Sequence, residues 1–147
     1  MSNSTDSIAD LAADAAITAG LLGSGQSIAL TSGAVLLAAI SYWILGYAVQ
    51  PVAFLSSVLV ALLQGYFAQR VRFDASLFRL WATRWRDSLD PLEDMMAFDA
   101  RIGRRPSASD SAQANLAERR RGALRLLRYQ AASGLLQLIL TAVALWH

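Results

Sequence analysis

The sequence predicts an all-α integral membrane protein with about three transmembrane helices, and three observations lead there. Hydrophobic residues make up 55% of the 147, yet they are segregated rather than spread. Residues 15–69 contain no Asp, Glu, Lys or Arg, and residues 129–146 form a second uncharged run. A bilayer core about 30 Å thick needs roughly 20 apolar helical residues, so the first run can hold two spans and the second holds one.

Residues 1–25 read as an amphipathic helix followed by a glycine-rich joint. Asp6, Asp10, Asp14 and Thr18 recur every four positions, while Ile8, Leu11, Ala15 and Leu22 fall on the opposite side. Such a helix is expected to lie along a membrane surface, with Gly20, Gly23 and Gly25 interrupting it before the first span. Residues 26–69 form the transmembrane hairpin. Its first helix covers about 28–48, and Pro51 sets the turn near 49–51, because proline excludes its predecessor from the helix and suits a helix start. The second helix, from residue 52, meets no breaker at Gln69 and is expected to project past the bilayer surface.

Residues 70–128 make an arginine-rich helical segment. Phe73, Leu77, Trp81 and Trp85 repeat at four-residue spacing, and Arg72, Arg79 and Arg86 at seven, which describes an amphipathic helix packed on the interface or on protein. Asp90, Pro91 and Glu93 combine an N-cap, a proline at the first helical position and a carboxylate three residues after the cap, with Gly103 at the expected C-terminal cap. Residues 104–110 have the composition of a linker. The helix resuming near Ser111 is expected to continue unbroken into the last span, 129–147.

All 13 basic residues are Arg and lie between Arg70 and Arg128 with eight acids, a net charge of +5, whereas residues 1–69 carry −3. Basic residues near span ends resist translocation, so this segment is expected in the cytoplasm with the N-terminus, and the C-terminus outside. The all-Arg, alanine-rich composition reads as codon bias of a GC-rich genome, hence a bacterial inner membrane. The acidic N-terminus lacks the basic start of a signal peptide.

Chemistry-bearing residues are few. No Cys or Lys occurs, and the single histidine is His147, so thiolate and Schiff-base chemistry have no candidate. Asp87, Asp90, Glu93, Asp94 and Asp99 are better used for helix capping and for pairing with Arg84, Arg86 and Arg101 than for a metal. We therefore expect no enzyme, no catalytic or metal residues, no cofactor and no nucleic-acid partner. Helix packing is the stronger signal. Ala53, Ser57, Ala61 and Gly65 form a small-residue ridge on the second span, and Ser133, Gln137 and Thr141 a polar ridge on the third, able to pair with Ser57 or Gln64. Arg119, Arg120, Arg121, Arg125 and Arg128 stand where anionic headgroups or an acidic partner lie within reach. The expected role is an accessory or structural subunit that binds another membrane protein or itself, through the Ala53–Gly65 ridge and the Phe73, Leu77, Trp81, Trp85 stripe. The alternatives are a holin-like pore-forming oligomer and a component of a lipid-handling or transport system using Arg70, Arg72, Asp74 and the acidic group from Asp87 to Asp99.

Overall fold

Helix-favouring composition and sparse breakers yield four helices: α1 (Ser2–Ile44), α2 (Pro51–Arg86), α3 (Pro91–Arg101) and α4 (Ala112–Leu145). The computed structural model describes residues 2–87, 89–103 and 111–146. The linker expected over residues 104–110, the side chain of Asp6 and His147 lie outside the described residues. Three of the helices are long and apolar enough to cross a membrane.

Two boundaries differ from the sequence reading. The expected joint at Gly20, Gly23 and Gly25 is absent, and α1 runs unbroken through all three glycines. An interior glycine costs a helix about 1 kcal/mol, but packing along a long buried stripe outweighs this, and Gly25 is required by that packing. Nor is the first part of α1 an open amphipathic face for a membrane surface. Leu11, Ala12, Ala15, Ala19 and Leu22 are buried, and so is Thr18, whose hydroxyl donates to the Asp14 carbonyl at 2.8 Å. The second difference is the hairpin: α1 ends at Ile44, not near Ala48, because Gly46 takes a left-handed φ of 86° that stops the helix. Gln50 then opens α2, its side-chain oxygen accepting from the Ala53 amide and its own amide donating to the Ala144 carbonyl at 2.9 Å.

Elsewhere the expected elements form. Helix α2 continues to Arg86, and α4 passes without interruption from Ala112 to Leu145. Asp90 caps α3 by accepting from the amides of Leu92 and Glu93, Pro91 takes the first position, and Gly103 follows with φ 67°.

Along each long helix a buried residue recurs at intervals of seven. The series is Leu11, Thr18, Gly25, Ser32 and Ala39 in α1. In α2 it is Ser57, Gln64, Val71, Phe78 and Trp85, and in α4 it is Leu116, Ala123, Gln130, Gln137 and Ala144. A seven-residue stripe is the seam of left-handed helix packing.

The chain divides into two compact units. Unit 1 comprises residues 1–22 and 73–124, and unit 2 comprises residues 23–72 and 125–147. Unit 2 is three helical segments of about 21 or 22 residues, each about 32 Å long, close to a bilayer core. In it α1 and α4 run parallel with a constant offset of 105 residues, while α2 runs opposite to both. Unit 1 packs the remaining parts of α1, α2 and α4 with α3.

Gly25 marks a close helix approach. A Cβ built there would meet Gln130 Oε1 at 2.7 Å, Val71 Cγ1 at 3.0 Å and Leu127 Cδ1 at 3.1 Å, whereas one at Gly20 meets nothing within 4 Å. Gly25→Ala is therefore expected to destabilise the fold by about 1–3 kcal/mol through overpacking. Gly20→Ala is expected to stabilise it by about 0.5–1 kcal/mol. Loss of helicity in detergent mixtures of rising dodecyl sulfate content measures both; equal behaviour would remove the close approach from the account.

Candidate functional site

Unit 2 is polar inside and apolar outside. Gln130 Nε2 donates to the Gly25 carbonyl at 2.6 Å, and one heptad further Gln137 Nε2 donates to the Ser32 carbonyl at 3.0 Å. The Ser32 hydroxyl donates to Gln137 Oε1. Ser57 and Thr141 share a hydrogen bond of 2.7 Å, and Gln64 Nε2 donates to the Ile28 carbonyl at 3.4 Å. Ser133 closes locally onto the Gln130 carbonyl. The three glutamines thus tie three helices together through side chains that an apolar exterior could not solvate. Outside stand Leu30, Leu37, Leu55, Leu59, Leu62, Leu135 and Ile139, each more than half exposed.

Of the anticipated packing residues, Ser133, Gln137 and Thr141 are buried on the polar seam, with Ala53 and Ser57 facing them from α2. The small-residue ridge does not stay on that face. Ala61 is half-buried and Gly65 exposed. Steps of four accumulate about 40° each, so residue 65 lies about 120° around the helix from residue 53. Steps of seven track the contact, which brings in Gln64 and Val71 instead.

The aromatic stripe on α2 divides for the same reason. Phe73 is exposed, Leu77 half-buried, and Trp81 and Trp85 are 1% exposed, so it is no continuous interfacial surface. The two tryptophans stack at 5.7 Å with their planes 10° apart, and Phe78 and Phe98 meet Trp81 edge-on at 5.5 and 5.8 Å. Phe78, which the four-residue stripe misses, lies on the seven-residue one.

Ions complete this cluster. Trp85 Nε1 donates to Asp94 Oδ2 at 3.3 Å, and Arg84 pairs with Asp94 Oδ1 at 2.9 Å. Arg119 pairs with Asp99, both nearly buried, and its guanidinium lies 5.3 Å from the Trp81 ring centroid. Arg119 is therefore an interior residue, not part of an open basic patch. Arg120 is half-buried, and Arg121, Arg125 and Arg128 are exposed. Among the described residues no group of three or more His, Cys, Asp or Glu is placed to hold a metal ion.

One outward feature escaped the sequence reading. Ser24, Ser27, Thr31, Ala34, Ala38 and Ser41, spaced alternately by three and four, form an exposed stripe of small residues along α1. Beside it a groove of about 350 Å³ runs between α1 and α4, floored by Ser32 and Gly134 and edged by Leu135 and Leu138. The three–four spacing was present in the sequence, but on α1 rather than on α2.

Searches of protein-family models, curated proteins and solved structures returned no match to this chain.

The two ion pairs of unit 1 differ in burial and so in expected weight. Asp99→Ala leaves Arg119 buried and uncompensated, and is expected to cost about 3–5 kcal/mol. Arg84→Ala removes a guanidinium that is 40% exposed and leaves the buried Asp94 carboxylate with the Trp85 Nε1 hydrogen bond, for a smaller cost of about 1–3 kcal/mol. Thermal melts followed by tryptophan fluorescence separate the two, and similar losses would contradict this ranking.

Proposed function

We propose that this membrane protein is a non-enzymatic structural subunit, inserted through unit 2 and held against another membrane protein by the small-residue stripe on α1. The observation that carries the proposal is the stripe with its groove. Association in lipid depends on close backbone approach and on hydrogen bonds, and small residues at three–four spacing favour both. The inverted polarity of unit 2 supports insertion. Its only Asp, Glu, Lys or Arg residues are Arg70, Arg72, Arg125 and Arg128. Aromatic rings gather at both ends, with Tyr42, Trp43, Tyr47 and Phe54 at one and Tyr66, Phe67 and Tyr129 at the other.

In this reading the arginine-rich end of unit 2 and the whole of unit 1 face the cytoplasm of a bacterium, across whose inner membrane the chain lies. The hairpin turn and Trp146 then lie outside. The Ser24, Ser27, Thr31 and Ser41 hydroxyls favour one other reading, in which copies of the chain turn the stripe toward a shared aqueous path.

Extraction from native membranes in mild detergent, followed by mass determination, tests the proposal. A stoichiometric second protein is expected, lost on Ala34→Leu with Ala38→Leu and kept on Leu37→Ala. A homo-oligomer that conducts ions in planar bilayers would transfer the stripe to the pore reading. A monomer, or a partner kept by the double variant, would overturn both.

A further inference from the structure

Four arginines occupy one end of unit 2, and two of them share a face. Phe67 of α2 and Tyr129 of α4 are in contact, with ring centroids 5.9 Å apart. Residues three or four apart on a helix are surface neighbours. Arg70 comes three residues after Phe67, and Arg125 four residues before Tyr129. Because α2 and α4 run in opposite directions, both steps lead toward the same end of the unit, one turn beyond the ring contact.

We propose that Arg70 and Arg125 form a seat for the phosphate of one anionic phospholipid, above the Phe67–Tyr129 contact. Both arginines are exposed, and among the described residues neither is in an ion pair. That separates them from Arg119, which is committed to Asp99 and Trp81. Guanidinium forks match phosphate oxygens in paired hydrogen bonds. Tyr66 and Tyr129, 60% and 51% exposed, supply the amphipathic rings that favour the headgroup level. A lipid is favoured over a soluble phosphate by what lies on the other side of the rings. Leu63, four residues before Phe67, and Leu136, seven after Tyr129, are about half exposed and continue the same face toward the middle of the span. An acyl chain covers them. Arg72 and Arg128 add positive potential at the same end. The inference rests on the insertion of unit 2 and is independent of any protein partner.

Native mass spectrometry of the delipidated chain with equal amounts of phosphatidylglycerol and phosphatidylcholine tests it. One phosphatidylglycerol per chain is expected, retained in about tenfold preference. Arg70→Gln with Arg125→Gln should abolish the preference, whereas Arg79→Gln with Arg86→Gln, two arginines of unit 1, should leave it intact. No preference in the unaltered chain, or equal loss in both pairs, overturns the seat. Displacement of the lipid by excess inorganic phosphate would assign the site to a soluble anion instead. If the Gln pair loses helicity, the Lys pair decides. It keeps the charge without the fork, so retention should fall severalfold, and undiminished retention also overturns the proposal. Failure of this experiment leaves the α1 stripe untouched, since no residue is shared.

Discussion

Two side-chain amides set the register of the membrane-compatible part of this molecule. Gln130 and Gln137 each reach across to a backbone carbonyl of α1, at Gly25 and Ser32, with the same sequence offset. A slip of one residue would carry both amides away from their acceptors and onto an apolar surface, where an unsatisfied polar group costs several kcal/mol. The approach also requires that α1 present no side chain at residue 25. Glycine, glutamine and the parallel packing of α1 with α4 are thus one constraint rather than three features, and the hydrogen bonds from Ser57 and Gln64 fit α2 against the pair so formed.

The two units obey opposite solvent rules with the same seven-residue seam. In unit 2 the seam is polar and the exterior apolar, which suits helices surrounded by hydrocarbon. In unit 1 the seam is apolar and aromatic, with Phe78, Trp81, Trp85 and Met95 inside and the exposed acids Asp10, Asp14, Asp87 and Glu93 outside, which suits water. Among the described residues, charge enters the interior of unit 1 only in pairs, as Asp94 with Arg84 and Asp99 with Arg119.

Much of this was legible in the residues. Uncharged runs announced three long apolar helices, and the Asp90, Pro91, Glu93 signature located α3. Where the reading went astray, the cause was a choice of period. Steps of four picked out Ala53 to Gly65 and Phe73 to Trp85, each series starting or ending on the buried face and drifting off it. Steps of seven stay on it and would have added Val71 and Phe78 to Gln64, which its polarity had already marked. Gly25 was misread as a breaker because a glycine that interrupts a helix and one that admits a neighbouring helix look alike until the neighbour is known. The Asp99–Arg119 pair could not be foreseen, since its partners stand 20 residues apart on different helices.

The offset of 105 residues between Gln137 and Ser32 also has a meaning in time. A ribosome adds about 5–20 residues per second, so roughly 5–20 seconds pass between completion of the two halves of that contact. During this interval the α1–α2 hairpin is finished, yet the Gly25 and Ser32 surface still faces whatever surrounds it. Anything that covers small polar notches in a bilayer has that long to act before α4 arrives to fill them.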